Sequence, residues 1–190
     1  MNHREIAREW GGLLEQLFQA QVGVVEAAIA ACVGALSAGR KILAFGNGGS
    51  AAEAQHFTAE LVNRFGRTRP ALRAVTLSAD TSVLTSIGND ASFEAVFSRQ
   101  IEALGDAGDV ALALSTSGKS PNILAALKTA RDRRLVTIGL TGRDGAAMAP
   151  FCDHLLSVAS AATPRVQEIH LFLLHHLADE IESRSFGGSA

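Results

Sequence analysis

The sequence lacks the features that mark several common classes of protein. Its 190 residues contain two cysteines, Cys32 and Cys152, which lie far apart and match no metal-binding spacing. The net charge is only −2, so no overall field favours nucleic acid or an anionic membrane surface. We therefore expect reduced, packing cysteines, no nucleic-acid partner, and an anionic ligand that local groups attract.

The sequence shows neither the pattern of a signal peptide nor that of a membrane-spanning segment. Residues 1–6 lack the basic-then-apolar layout of a signal peptide. A run of ~18 uncharged apolar residues, which a membrane span would need, does not occur in the sequence. Both observations predict a cytoplasmic protein without a membrane partner.

The chain is nevertheless apolar, with 47% hydrophobic residues and a mean hydropathy of +0.19. Its length suggests one domain over residues 1–190. Apolar positions recur with helical period over residues 1–38, which predicts a long helical segment with breaks at Gly11, Gly12 or Gly23. Because such a helix exceeds the width of a small domain, we expect residues 1–38 to serve in oligomerisation.

Five short apolar runs alternate with helical patterns along the rest of the chain. The runs occupy residues 41–45, 73–77, 109–114, 135–140 and 154–158. Helices are predicted over 50–65, 83–87, 93–104, 120–133 and 164–182, with a loose tail over 185–190. Buried strands that alternate with helices are typical of a parallel sheet. The pattern predicts a doubly wound, flavodoxin-like α/β fold with five parallel strands, flanked by helices, which binds ligands at the carboxyl ends of its strands.

A glycine-rich loop, residues 46–51, follows the first predicted strand. It fits the dinucleotide pattern G-x-G-x-x-G/A between a strand and a helix. The acidic residue expected about 20 positions further on does not follow at that spacing, because Asp80 stands 34 residues beyond Gly46. The loop therefore favours close approach of a substrate to the backbone over nicotinamide binding, with a ligand-free turn as the other alternative.

A second loop, residues 115–120, carries a run of hydroxyl side chains and leads directly into a helix. The dipole and free N–H groups at a helix N-terminus favour an anion there. A Walker motif would need a glycine at the position of Ala113. An N-cap at Ser120 followed by Pro121 explains only part of the run, so the loop indicates a phosphate site.

Polar side chains also interrupt two apolar helices. His56 and Glu60 are four residues apart, so they share one helix face. Gln167 and His175 are eight residues apart, and both can border one cleft. A His/Glu pair with a second histidine suits either a transition metal or proton transfer. Three further histidines fit packing roles and receive no assignment: His154, His170 and His176.

Six segments together resemble the sugar isomerase (SIS) family, and within it the phosphoheptose isomerases. They occupy residues 45–50, 54–60, 86–90, 115–120, 140–145 and 165–170, in family order over the whole chain. The hydroxyl loop is typical of the broad family, whereas Q-H-F-x-x-E with Q-E-x-H-x₄-H is more specific. The resemblance implies the SIS fold and a homotetramer with active sites at subunit interfaces.

The resemblance also implies a role for each matching residue. Glu60 matches a catalytic base and His175 its acid partner. Contacts to a sugar-phosphate substrate are implied for Asn47, Gly48, Gly49, Ser50, Asn89, Asp90, Ser115, Thr116, Ser117, Ser120 and Gln167. A zinc ion, one per subunit, is implied at His56, Glu60, Gln167 and His175.

Two positions depart from the family pattern. Lys119 replaces a commoner Asn and adds positive charge near the hydroxyl loop. Pro164 stands where some members have Asp, so that Thr163 or the backbone would have to make that contact.

The activity implied is isomerisation of D-sedoheptulose 7-phosphate to D-glycero-D-manno-heptose 7-phosphate through an enediol, for nucleotide-activated heptose and lipopolysaccharide core precursors. A carboxylate can remove the carbon-bound proton, and a histidine can protonate the oxygen. The alternatives are a non-catalytic SIS adaptor that binds the replication initiator protein and a sugar-phosphate sensor. The presence of both Glu60 and His175 favours the enzyme.

Overall fold

A five-stranded parallel sheet forms the centre of the computed structural model, which describes residues 2–187. The strands are β1 (Ile42–Gly46), β2 (Ala74–Thr76), β3 (Val110–Ser115), β4 (Val136–Gly142) and β5 (His154–Val158). They lie in the order β2-β1-β3-β4-β5, and every neighbouring pair is parallel. This order confirms the predicted doubly wound fold of flavodoxin-like type.

Helices cover both faces of the sheet. They are α1 (His3–Ser37), α2 (Gly49–Val62), α3 (Thr81–Asp90), α4 (Ser98–Leu104), α5 (Pro121–Asp132) and α6 (Thr163–Phe186). Successive side chains of a strand point to opposite faces. Ile42 and Ala44 of β1 therefore pack in the core with α1, α2 and α6, whereas Leu43 and Phe45 pack with α4 and α5. Both faces of β1 are buried, which explains its unbroken apolar run.

The bounds of several helices differ from prediction. The helix α2 ends at Val62 rather than at residue 65, and α3 spans Thr81–Asp90 rather than residues 83–87. Short 3₁₀ helices occupy Phe93–Ala95, so that the predicted helix over 93–104 is divided, and Gly145–Phe151, which was not predicted. The helix α6 continues to Phe186, beyond the predicted end at residue 182. Arg184 extends it by bonding to Glu180 one turn earlier and to Glu26 of α1. Residues 188–190 of the predicted tail lie outside the described residues.

The helix α1 is kinked at Gln21, not at Gly11, Gly12 or Gly23 as predicted. Gln21 has φ −133° and ψ 16°. Its side-chain amide donates to the Ser157 carbonyl at 2.8 Å, and its carbonyl accepts from the Ser157 N–H at 2.9 Å. Ser157 belongs to β5, an edge strand whose outer backbone groups need partners. The glycines stay helical because a glycine weakens a helix without having to bend it.

The helix α1 is also long and apolar enough to cross a membrane, by length and composition alone. An 18-residue window has a mean hydropathy of 1.7, and 28% of that window is buried. This window contains no more than two charged residues, whereas the sequence prediction required a run with none. Packing helices of soluble proteins and signal sequences have the same length and composition. Since only 28% of the window is buried, part of the apolar surface of α1 is uncovered in one chain.

Candidate active site

A cavity of about 240 Å³ opens at the carboxyl ends of β1 and β3, where the strand order reverses. This is the position at which doubly wound sheets bind ligands. The lining residues are Asn47, Gly49, Ser50, Leu114, Ser115, Thr116, Ser117, Ser120, Thr163 and Gln167. The structure thus brings most of the predicted substrate contacts to one place, although they come from three separate segments.

Three helices begin at this cavity. The N-cap residues of α2, α5 and α6 are Gly48, Ser120 and Ala162, and none of them caps its helix with a side chain. No N-cap side chain therefore occupies the first-turn N–H groups, of which Pro121 in α5 and Pro164 in α6 contribute none. Each N-terminus carries roughly half a positive charge. Together they make the cavity suited to an anion. Lys119 is exposed and does not line the cavity.

The hydroxyl loop is shaped by its own side chains. The Gly118 N–H donates to both the carbonyl and the hydroxyl oxygen of Ser115, at 3.1 Å each. Pro121 begins α5 as predicted, but the Ser120 hydroxyl does not cap the helix and lies 3.4 Å from the Ser115 hydroxyl. A purely structural N-cap therefore does not account for Ser120, whose side chain borders the cavity instead.

Gly118 is the position of this loop where a side chain has no room. Its φ is +65°, and a Cβ there would clash with the backbone of Gly145. We expect Gly118→Ala to lower the free energy of unfolding by about 2 kcal/mol or more and to weaken binding of inorganic phosphate. Thermal unfolding and a phosphate titration measure the two effects.

Gly34→Ala is the matched control for this substitution. Gly34 lies within α1, and nothing approaches the position of its Cβ within 4 Å. Alanine there should stabilise the protein by up to ~1 kcal/mol. Equal stability of Gly118→Ala and the wild type would contradict the role of Gly118 in shaping the loop.

Asn122 is a candidate positioning residue that the sequence did not reveal. It is buried near the start of α5, and its side chain exchanges two hydrogen bonds of 2.9 Å with the side chain of Asn47. This pair joins the glycine-rich loop to the first turn of α5, which directly follows the hydroxyl loop, across 75 residues of sequence. The only local signal is a polar residue after Pro121, which is equally common on an exposed first turn.

Gln167 reaches the cavity from α6 because Gly49 leaves space for it. A Cβ on Gly49 would clash with the Gln167 side-chain amide. Thr163, also on α6, lines the cavity as well, whereas Pro164 does not. Thr163, one of the two predicted replacements for the Asp that some family members have at position 164, therefore lies at the cavity.

Two helices bring a cluster of His56, Glu60 and His175 together. His56 and Glu60 lie on α2 and His175 lies on α6. The Nε2 atoms of the two histidines are 2.7 Å apart, and His56 Nε2 lies 3.5 Å from Glu60 Oε1. One imidazole must donate its proton to the other at this distance. His56 therefore connects a carboxylate to a second histidine, and both side chains of α2 remain partly exposed.

The donor atoms of this cluster are of the kind that zinc takes, namely two imidazoles and a carboxylate. Their arrangement is that of a hydrogen bond, because 2.7 Å is shorter than the ~3.3 Å between two ligands of a tetrahedral zinc with bonds of ~2.0–2.1 Å. Within residues 2–187, no group of three or more His, Cys, Asp or Glu side chains has the arrangement of a metal site. Gln167, the fourth predicted ligand, lies two turns away on α6 and lines the cavity.

Two further side chains, one on α2 and one on α6, have shifted pKa values. Burial raises the pKa of Glu53 to about 7, against the opposing effect of its hydrogen bond to Ser50. Glu53 stands on α2 between the cavity residue Ser50 and His56. On α6, burial lowers the pKa of His170 to about 4, and the Thr141 backbone opposes that shift. His170 is therefore neutral at pH 7, which fits the packing role expected of it.

Three predicted substrate contacts are not brought to the cavity of the chain. Gly48 is exposed beside it and is not a lining residue. Asn89 and Asp90 lie exposed at the end of α3, where the Asn89 amide donates to the Asp90 carboxylate at 2.7 Å. One chain alone therefore offers a smaller site than the sequence predicted.

Comparison with known proteins gives consistent results. Residues 7–142 match the SIS domain family. A phosphoheptose isomerase of Paramagnetospirillum magneticum is 51% identical over 181 residues, which are 95% of this chain and 91% of the relative. The solved phosphoheptose isomerase of Neisseria gonorrhoeae superimposes with a TM-score of 0.87 at 43% identity, over 95% of this chain and 97% of its own. That of Francisella tularensis gives 0.85 at 34% identity, over 96% and 100%.

Proposed function

The chain belongs to the SIS domain family and, within it, to the phosphoheptose isomerases, and we propose that it converts D-sedoheptulose 7-phosphate to D-glycero-D-manno-heptose 7-phosphate. It is an isomerase of heptose biosynthesis, and its product would feed nucleotide-activated heptose and lipopolysaccharide core. The observation that carries the proposal is 51% identity to a phosphoheptose isomerase over 95% of the chain. The adaptor alternative is not supported, because close relatives carry the name of an enzyme.

The substrate phosphate binds, in this proposal, at the cavity between the two loops. The three helix N-termini and the hydroxyls of Ser115, Ser117 and Ser120 would face its oxygens. The phosphate is remote from the reacting carbons, so the energy of binding it can be used to orient C1 and C2. The cavity volume of about 240 Å³ is slightly below the usual range of roughly 300–1,000 Å³ for ligand sites, which suits the phosphate end of the sugar.

Glu60 and His175 carry the proton transfers in this mechanism. The Glu60 carboxylate removes a proton from C1 of the ketose while the His175 imidazole donates a proton to the carbonyl oxygen on C2, which gives the enediol. Glu60 then returns its proton to C2 as the hydroxyl on C1 gives a proton back to His175 and becomes the aldehyde. The contact of both histidines and Glu60 in one cluster supports this assignment.

We include one zinc ion per subunit in the proposal, held by His56, Glu60, Gln167 and His175. The donor types of the cluster support it. When bound, zinc would supply positive charge for the oxygens of the enediolate.

Metal analysis tests the zinc proposal. We expect protein purified without chelators to contain about one zinc per chain, and His56→Gln to contain much less, since removing one of few ligands strongly weakens a metal site. Chelation should lower activity, and added zinc should restore it. Full activity of metal-free protein, unaffected by chelators, would refute the catalytic requirement.

We further propose that residues 1–190 form one SIS domain whose residues 1–38 assemble it into a homotetramer. The uncovered apolar surface of α1 and the exposed side chains of Val22, Phe65 and Phe93 support assembly. The exposed Asn89 and Asp90 would then complete the active site of a neighbouring subunit. Subunit packing also accounts for an apolar α1 in a protein of the predicted cytoplasmic location.

Light scattering at micromolar concentration tests the assembly. The expected mass is four times the 19.8 kDa of one chain. A monomer at that concentration would contradict the proposal. A truncated chain is a poor control, because Leu17, Val25 and Ile29 of α1 also belong to the core of the chain itself.

The proposed reaction is tested by incubating the protein with sedoheptulose 7-phosphate and following the formation of an aldoheptose phosphate. Sedoheptulose without phosphate is the matched control and should react far more slowly, because it lacks the group that the cavity holds. The absence of an aldoheptose product in the presence of zinc would overturn the proposal. Equal rates for both sugars would overturn the role of the cavity.

A further inference from the structure

A buried carboxylate on α6 holds the chain segment that follows α2. The Glu182 side chain is completely buried and accepts hydrogen bonds from the backbone N–H groups of Phe65, Gly66 and Arg67, at 2.7, 3.0 and 2.9 Å. It also forms an ion pair with the guanidinium of Arg69 at 2.9 Å. A single side chain of α6 thereby fixes several residues beyond the end of α2.

Arg69 extends this connection into α2 itself. Its guanidinium is 1% exposed and donates to the backbone carbonyls of Glu60 and Leu61, at 2.8 and 2.6 Å. These carbonyls belong to the last turn of α2, which has no following helical residues to satisfy them. The Arg69–Glu182 pair therefore joins the backbone of Glu60 directly to α6.

The same connection reaches His175. Glu182 lies seven residues after His175, which is about two turns along the same face of α6. Phe65, whose N–H is bound by Glu182, places its ring 5.6 Å from the His175 ring. Both members of the acid–base pair are thus connected to the Arg69–Glu182 pair, Glu60 through its own carbonyl and His175 through Phe65.

The chemistry of the pair favours a role in positioning over a role in stability. Burial raises the pKa of Glu182, but hydrogen bonds from Phe65, Gly66, Arg67 and Arg69 outweigh that effect and lower it overall, so the carboxylate is ionised at neutral pH. A buried ion pair contributes little more stability than apolar residues of the same size. Its directional hydrogen bonds, in contrast, fix the relative placement of two helices.

We propose that the Arg69–Glu182 pair is a positioning device for the isomerisation, which holds α2 against α6 so that Glu60 and His175 act on the same substrate carbons. The inference rests on the proposed function, since it takes the roles of Glu60 and His175 from there. Neither Arg69 nor Glu182 lines the cavity.

The first test compares Glu182→Gln with Asp109→Asn. Asp109 is a matched control, because it is also a buried carboxylate (1% exposed) in an ion pair, with Lys41 at 2.6 Å, but at the opposite end of the sheet. We expect both variants to unfold at lower temperature. Only Glu182→Gln should lower kcat, by about 10- to 100-fold, as misplaced catalytic groups do. KM should change little, because the cavity residues stand at the N-termini of α2 and α6, whereas the pair joins their C-terminal parts.

Arg69→Lys is the second variant, in case Glu182→Gln does not fold. It keeps a positive charge beside Glu182 but cannot bond at once to the carboxylate and to both carbonyls of α2. We expect the same selective loss in kcat. Unchanged kcat in Arg69→Lys, or equal kcat losses in Glu182→Gln and Asp109→Asn, would overturn the inference.

A readout that is independent of turnover separates this inference from the proposed function. The imidazole resonances of the protein, assigned with His175→Gln, report the position of His175 against the Phe65 ring. The His175 resonance should move in Glu182→Gln and stay in Asp109→Asn. If it moves while the wild type fails to isomerise the heptulose phosphate, the proposed function is wrong and the positioning stands. If it does not move, the positioning is wrong.

Discussion

Replacing Glu60 by glutamine is expected to abolish turnover of sedoheptulose 7-phosphate while the protein stays folded and binds phosphate. The amide keeps the shape of the carboxylate but cannot accept a proton from carbon, and general bases contribute roughly 10²–10⁴-fold to such reactions. The side chain is 22% exposed, and its contact with His56 Nε2 is long, at 3.5 Å, so the amide disrupts little packing. Steady-state kinetics, thermal unfolding and a phosphate titration of the same preparation test all three expectations.

Glu180→Gln is the matched control for this experiment. Glu180 lies on α6 and pairs with Arg184 near the surface, away from the cavity. We expect wild-type turnover from Glu180→Gln, because partly exposed ion pairs contribute little. Wild-type-like turnover by Glu60→Gln would exclude Glu60 as the base.

Replacing His175 by glutamine is expected to lower kcat by about 10²–10⁴-fold, since an acid that protonates the substrate oxygen would be lost. The side chain touches His56 and the Phe65 ring, so glutamine can occupy its space with a modest loss of packing. The phosphate cavity is built by other residues, so phosphate binding should stay unchanged.

The neighbouring histidine provides the control. His176 packs edge-on against Phe18 of α1, with ring centroids 5.7 Å apart, and takes no part in the cluster. His176→Gln should lower the unfolding temperature but leave kcat near the wild-type value. Similar kcat losses in both variants would mean that damage to α6 in general, not the loss of an acid, causes the effect.

The position of the cavity could be predicted from the sequence because it follows from strand order. Asn47 follows β1 and Ser115 ends β3, which lies beside β1, and the chain leaves the two strands in opposite directions. In a parallel sheet the loops after such strands lie next to each other at the carboxyl ends of the strands. Local patterns identified both loops, and topology then placed them together.

Pairings between distant elements could not be predicted in the same way. Asn47 bonds to Asn122, Gln21 bonds to Ser157, and Glu182 bonds to Arg69 across 113 residues. Each is a single polar side chain that no periodicity marks. The sequence predicts the kink of α1 at glycines because their low helix propensity is visible in the sequence. The distant partner of Gln21, which marks the real kink, is not visible there. Asn89 and Asp90 were placed at the site by resemblance, and the single chain leaves them outside it.

The amide of Gln21 has a consequence for how this protein avoids aggregation. The outer backbone of an edge strand is a template on which a foreign strand can grow. Gln21 occupies such groups at Ser157 of β5, as a pairing strand would. At the other edge, β2 is only three residues long and gives an incoming strand little to bind. Both edges of the sheet thus offer an incoming strand little to bind, which disfavours growth of the sheet from one copy of the chain to the next.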